Sequence, residues 1–341
     1  KRLPNLKVIG ITGSLGKSST KTFLDHILKS HFKVLTTPKN INTEIGIAKM
    51  ILKDLTPQHQ ILLLEIGTYK IGEIKKVLQM SPLDVAVLTG ITNQHLSLFG
   101  SLVNLSQAKL EIFSNLKPNA GKFCNTDFLP AKVSKSLTSD RAMTSFSKQA
   151  KRFKLLSSLP NLKIQIDDNR YKVDVFAPQL QANLSLATLV ALHLNMTPLQ
   201  IQKGLDTLTA HAMPVQIKPG KTTLINDTYN ATTDGVETML DLLADHYSSS
   251  KKLFVFSGFL ELASQTQNYH DQILKKALSK FDTVLLTKPI QYSLNSKKLV
   301  LITEPHEQVK FLKQNLNSYQ LAYFSGRQYH MVQDLIDNYE A

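Results

Sequence analysis

The sequence has no tryptophan and only one cysteine, Cys124, in 341 residues. A single thiol excludes an internal disulfide framework and fits a reducing compartment, so a cytoplasmic location is expected. No apolar run approaches the roughly 20 residues a membrane helix requires, and no membrane role is expected. The opening KRLPNLK lacks the apolar centre of a secretory leader. Because the chain begins at Lys rather than Met, an upstream segment is expected. Internal repeats, low-complexity tracts and an arginine-rich arm are absent as well.

What is present is ordinary for a globular chain: 42% hydrophobic and 19% charged residues. The length is enough for two domains. The net charge of +14 raises the question of nucleic acid. The lysines are scattered, however, and only KQAKRFK (148–154) is locally dense. The excess is read as solvated surface with some attraction for anionic small molecules, and nucleic acid is not expected as a partner.

Short apolar runs alternate with amphipathic stretches along the chain. Strands are expected at 7–12, 33–36, 60–66, 84–89 and 121–125, and helices at 18–30, 43–53, 71–79 and 101–116. Near-continuous apolar strands between helices predict a parallel sheet covered on both faces. LKIQIDDNRYKVDVF (162–176) alternates instead, which predicts a small antiparallel addition, followed by helices near 180–194 and 198–208. HAMPVQIKPGK (211–221) is a break. Beyond it the alternation restarts, with strands near 222–226, 252–257, 282–286, 299–302 and 320–324. The expected fold is α/β: a P-loop-type, mostly parallel domain over 1–214, then a smaller Rossmann-like domain over 215–341. In such sheets ligands sit beyond the carboxyl ends of strands.

VIGITGSLGKSST (8–20) is how a buried strand ends in a phosphate-cradling turn and opens a helix. Gly13 and Gly16 free the backbone, Lys17 reaches phosphate, and Ser18 and Ser19 offer hydroxyls. The common pattern wants a Gly where Ile11 stands, so a plain strand–turn–helix with a solvated lysine is the competing reading. Glu65 ends a strand that reads as buried on both faces, where a carboxylate needs a partner. Mg²⁺ beside a phosphate loop is one candidate, and an ordinary solvated strand-end acid is the other. His95 follows a strand, which suits a site residue or a plain loop histidine equally. Lys109 and Glu111 lie on an amphipathic helix and read alone as its solvent face.

Together these stretches resemble the Mur ligase family of ATP-dependent amide ligases. The match is nearest to the branch that joins D-Ala-D-Ala to a UDP-muramoyl-tripeptide in peptidoglycan synthesis. GITGSLGKSSTK resembles the family's short Gly-x-x-Gly-Lys-Ser/Thr loop, and TTPKNINTEIGIA, LEIGTYKIGEI and NQHLSLFGSLVNLSQAKLEIF resemble the segments that follow it. INDTYNATTDGVETML is similar to the branch's Asp-x-Tyr-Asn-Ala signature, and FVFSGFLELASQTQNYH is a looser match.

The resemblance implies that Lys17 and the loop Gly13, Ser14, Gly16, Ser18 and Ser19, with Asn183, bind ATP. It implies that Ser18 and Glu65 hold one Mg²⁺, that His95 and a carbamylated Lys109 serve a second, and that Lys17, Lys109 and His95 are catalytic. Asp227, Tyr229 and Asn230 would bind substrate. The implied reaction passes through an acyl phosphate and joins a nucleotide-sugar peptide to an amino acid or dipeptide. An N-terminal domain or a partner would supply the UDP-sugar site.

The sequence departs from the branch at Thr232 and Thr233, where Asn-Pro is usual, and at Gln179 and Leu180 in place of His-Asn. Phe324 replaces a lysine, and no arginine stands in HAMPVQIKPGK. These changes bear on substrate contacts. They leave a non-catalytic or regulatory nucleotide-binding homologue as an alternative. A two-domain relative resembling folylpolyglutamate synthase and a P-loop phosphotransferase are further alternatives.

Overall fold

Strand β1 (Lys7–Thr12) is buried from Val8 onward and lies in the middle of a six-stranded sheet of order β2-β3-β1-β4-β5-β6. The others are β2 (Val34–Thr36), β3 (Ile61–Glu65), β4 (Leu83–Leu88), β5 (Leu116–Asn125) and β6 (Met143–Phe146). Every neighbouring pair is parallel. In this computed structural model the described residues are 3, 5–38, 41–92, 96–157, 161–175, 180–208, 215–228, 231–259 and 266–339. They form two compact units, Lys1–Asp174 with Leu180–Thr209 and Val175–Gln179 with Ala210–Ala341.

The first unit interleaves α1 (Lys17–Lys29), α2 (Glu44–Asp54), α3 (Glu73–Met80), α4 (Leu96–Phe99), α5 (Leu102–Leu110) and α6 (Ala131–Thr138) with these strands. An antiparallel sheet of β7 (Phe153–Ser157), β8 (Leu162–Ile166) and β9 (Asn169–Val173) follows, as the alternating residues predict. Then come α7 (Gln181–His193) and α8 (Pro198–Leu205). Helix α7 is buried from Gln181 through Ala191, which is why it lacks an amphipathic pattern.

In the second unit β10 (Gln216–Lys218), β11 (Thr223–Asp227), β12 (Lys252–Phe256), β13 (Thr283–Leu286), β14 (Leu299–Leu301) and β15 (Leu321–Ser325) form a sheet of order β10-β11-β15-β12-β13-β14. Only β10 is antiparallel to its neighbour. Helices α9 (Thr233–His246), α10 (Thr266–Lys280), α11 (Pro305–Asn315) and α12 (His330–Asp337) accompany it. The α/β class and the mostly parallel sheet agree with the sequence reading.

Two differences have physical causes. The helix expected over 101–116 ends at Leu110, and β5 begins at Leu116 rather than 121. The stretch KPNAG (117–121) is an irregularity within the strand. There the β4–β5 register shifts, with Asn119 at φ 61°. The edge strand β6 and the three-residue β10 are too short to leave a periodic signal.

Candidate active site

The loop after β1 turns on two glycines. Gly13 has φ 153° and Gly16 φ 76°. A side chain on Gly13 would strike the Thr89 hydroxyl, and one on Gly16 the Asn183 amide. Neighbouring strand ends hold the loop: Ser14 N–H donates to Gly90 O at 2.8 Å. Thr89 Oγ1 donates to Thr12 O at 3.1 Å and contacts the Leu15 carbonyl. Ser14 Oγ donates to Thr92 O at 3.4 Å. From below, Asn183 Nδ2 on α7 donates to Gly16 O at 3.1 Å and Thr20 Oγ1 at 3.0 Å, so Asn183 braces the loop. Ser19 is buried on the inner side of α1.

Helix α1 starts without a side-chain cap or an acidic residue in its first turn. Its first amides are therefore available to an anion, and the helix dipole favours one there. Lys17 Nζ curls back to donate to Gly13 O at 2.7 Å. Burial pushes its pKa down, and Glu65 opposes that shift. A glycine-freed cradle, open amides and a lysine together fit a nucleoside polyphosphate.

Ile11 on β1 pairs with Glu65 on β3, which places Glu65 beside this loop. It is 6% exposed. Oε1 accepts from Ser18 Oγ at 3.1 Å, and Oε2 lies 3.1 Å from Lys21 Nζ. Lys21 also donates to Thr37 O at 2.9 Å, while Glu65 N–H donates to Thr37 Oγ1 at 2.9 Å. The carboxylate is thus a paired, buried group and not a solvated acid. Lys21 and Thr37 escape a reading of the sequence, although Lys21 lies one helical turn past Lys17 and Ser18 and shares their face. No cluster of three or more His, Cys, Asp or Glu that could hold a metal exists among the described residues. One carboxylate and one hydroxyl oxygen suit Mg²⁺, which takes few protein ligands and completes its shell with phosphate and water.

Lys109 on α5 is 2% exposed, which overturns its solvent-face reading. No group among the described residues accepts a hydrogen bond from its amine. Burial lowers its pKa well below the usual lysine value, Lys17 adds to the shift, and Glu73 opposes it. A neutral amine is the form that can attack CO₂, losing a proton to give a carbamate. Glu73 Oε2 accepts from Tyr69 N–H at 2.7 Å and Lys70 N–H at 3.1 Å. Glu111, also read as solvent-facing, accepts from Gly72 N–H at 2.6 Å and Lys75 N–H at 3.1 Å. The two acids thereby fix the segment between β3 and α3.

In the second unit Asp227 ends β11, and its Oδ2 accepts from Tyr323 OH at 2.8 Å. Burial raises its pKa to about 7, with the tyrosine pulling the other way. His95, Tyr229 and Asn230 lie outside the described residues.

The family model of the Mur ligase middle domain matches residues 11–191, and that of the Mur ligase glutamate ligase domain matches 214–334. The chain belongs to the Mur ligase family. This Mur ligase homologue is 32% identical over 277 residues to UDP-N-acetylmuramoyl-tripeptide–D-alanyl-D-alanine ligase of Buchnera aphidicola subsp. Baizongia pistaciae, covering 78% of this chain and 59% of that one. It is 27% identical to the Escherichia coli K12 ligase of the same name, covering 78% and 61%. The chain thus spans about three-fifths of the length of the curated relatives it matches.

Among solved structures, MurF ligase from Thermotoga maritima in complex with ADP superposes with TM-score 0.80 at 23% identity, covering 97% of this chain and 78% of that one. Folylpolyglutamate synthase from Mycobacterium tuberculosis, complexed with ADP and AMPPCP, gives 0.70 at 13%, covering 99% and 93%. Both likenesses bear on fold alone. No helix among the described residues is long and apolar enough to cross a membrane.

Proposed function

We propose that this Mur ligase homologue joins D-Ala-D-Ala to a UDP-muramoyl-tripeptide at the expense of ATP, in the cytoplasm, as a step of peptidoglycan precursor synthesis. Residues 1–214 form the ATP-binding domain, and 215–341 help to bind the amine substrate through Asp227, Tyr229 and Asn230. The UDP-sugar site comes from an N-terminal domain or a partner, in keeping with the three-fifths of the relatives' length that the chain spans.

Lys17 and the amides from Gly13 to Ser18, with Ser14, Ser19 and the brace of Asn183, hold the phosphates. Ser18 and Glu65 hold one Mg²⁺; His95 and a carbamate on Lys109 hold a second. When bound, the cations neutralise charge on the transferring phosphoryl group, which is the main demand of this chemistry. The substrate carboxylate takes the γ-phosphoryl group of ATP and ADP leaves; the amine then displaces phosphate from the acyl phosphate to form the amide. Lys17 keeps the phosphoryl group in line, and no serine or cysteine nucleophile is needed.

The observation that carries this reading is Lys109, a buried amine in the first unit with no acceptor among the described residues and its neutral form favoured. With the N-terminal domain or partner that supplies the UDP-sugar site present, incubation with ATP, Mg²⁺, bicarbonate, UDP-muramoyl-tripeptide and D-Ala-D-Ala should give a pentapeptide product, ADP and phosphate by mass spectrometry. Bicarbonate depletion and Lys109→Ala should both abolish it. ATP binding without product would instead favour a non-catalytic nucleotide-binding homologue. That second reading is supported by Phe324, which stands fully buried where the branch carries a lysine.

A further inference from the structure

Glu65 is held asymmetrically. A carboxylate at an inner strand end needs counter-charge, because burying it unpaired costs several kcal/mol. Among the described residues the cation within ion-pair distance is Lys21, 3.1 Å from Oε2. Lys21 is 9% exposed and anchored to Thr37 O, and Thr37 Oγ1 takes the Glu65 amide, so the arrangement closes on itself through three elements. Among the described residues the other oxygen, Oε1, meets only the rotatable hydroxyl of Ser18 at 3.1 Å. One oxygen is neutralised by the fold and the other is presented beside the phosphate loop.

We infer that Lys21 is a positioning residue that acts as the resident counter-ion of Glu65: it aims Oε1 toward the loop and holds back binding of a free divalent cation, so that the cation enters with the nucleotide. This rests on the reading of Ser18 and Glu65 as the oxygen pair for that cation. A Lys21 ammonium beside the carboxylate cancels much of the charge that would draw a bare divalent ion and repels it directly. The repulsion between a single and a double charge a few ångströms apart is worth more than about 1.4 kcal/mol even in a water-like dielectric. The phosphates of a nucleotide supply the missing negative charge on the open side. The site then discriminates between a free ion and an ion already bound to polyphosphate. A pair that merely stabilised the fold would make no such distinction.

The test is Mn²⁺ binding to the full chain without nucleotide, read from the electron paramagnetic resonance of free Mn²⁺ and from the rise in Tm on adding the ion. Lys21→Gln keeps a donor for Thr37 O and removes the charge. It should bind Mn²⁺ at least about tenfold more tightly than the unmodified chain. It should also melt lower without the ion and gain more on adding it. Lys21→Arg retains the charge and should stay as weak as the unmodified chain. A Lys21→Gln affinity equal to or below that of the unmodified chain overturns the inference.

If Lys21→Gln folds only with Mn²⁺ present, the ion has taken over the counter-charge and the inference stands. If it fails to fold with or without the ion, Lys21 is structural and the inference falls. Glu65→Gln separates this from the site reading. If Mn²⁺ binding in the presence of ADP is the same in Glu65→Gln as in the unmodified chain, Glu65 is no metal ligand and both fall. If that binding depends on Glu65 but Lys21→Gln shows no gain, only the role of Lys21 falls.

Discussion

Glu65 and Asp227 are both carboxylates at the carboxyl end of a buried strand, yet one is answered by a lysine and the other by a tyrosine. The surroundings follow the same division. Around Glu65 the first unit collects Lys17 and Lys21, with the open amide end of α1 close by, and Lys109 in turn feels the charge of Lys17. The strand ends of the second unit carry a web of neutral groups, with Lys288 and Arg327 beside it. Thr287 Oγ1 donates to Gln328 Oε1 at 2.7 Å, and Gln328 Nε2 donates to Ser325 O at 3.1 Å. Gln308 Nε2 donates to Thr287 O at 2.7 Å. Neutral webs of this kind fix shape without creating a field, whereas concentrated charge sets up a field that a bound anion can feel. The same layout of strands is thus used for electrostatics in one unit and for positioning in the other.

The strongest way to break that contrast is Lys109→Met, which removes the charge-bearing group and keeps the bulk. Ligation should fall by about 10³-fold, the scale set by losing a preorganised electrostatic group. Stability should move the opposite way, rising by about 1 to 4 kcal/mol, because a buried amine with no acceptor among the described residues gives place to an apolar chain. Steady-state ADP release and urea melts measure the two. A variant that loses activity and stability together would mean that Lys109 is a packing residue.

Next in size is Asp227→Asn. The folded pKa of Asp227 is about 7, against an ordinary 3.8. The folded chain therefore holds this proton more tightly than the unfolded one, and the resulting stability is complete below about pH 4 and lost as pH rises through 7. Asparagine keeps the neutral shape and can still accept from Tyr323. It should match the unmodified chain at pH 4 and exceed it at pH 8 by no more than about 4 kcal/mol. Parallel melts at the two pH values decide it; a gap that does not change with pH would place the proton elsewhere.

Much of this was legible in the sequence, because the phosphate loop packs its glycines, lysine and hydroxyls into thirteen contiguous residues. Glu65 showed itself as a charge ending a strand too apolar to be solvated. Lys109 did not. Its helix reads as amphipathic through Leu102, Leu105, Leu110 and Phe113, but the buried face is Leu105, Ser106, Ala108 and Lys109. What covers the amine is tertiary and leaves no local pattern. The Lys21–Glu65 pair escapes for the same reason, since its members are 44 residues apart and only the β1–β3 register brings them together.

The smallest effect sharpens the contrast with a third kind of carboxylate, one answered by neither lysine nor tyrosine but by backbone. Glu111 accepts from Gly72 N–H and Lys75 N–H at the start of α3, from a turn that immediately follows the helix carrying Lys109. Its charge also suits the positive end of the α3 dipole. Glu111→Gln keeps one oxygen acceptor and gives up the charge, so the loss should be about 1 kcal/mol, with a fall in Tm of about 2 to 4 °C for a unit of this size. Glu111→Ala, which gives up both bonds, should fall further. Activity should follow only weakly, because the charges around the phosphate loop are untouched while the segment between Glu65 and α3 loosens. If Glu111→Ala melts with the unmodified chain, water serves those amides as well as the carboxylate does. The segment then owes its place to Glu73 and to backbone bonds such as Gly67 N–H to Asn42 O, and the first unit relies on fewer fixed carboxylates than its hydrogen bonds suggest.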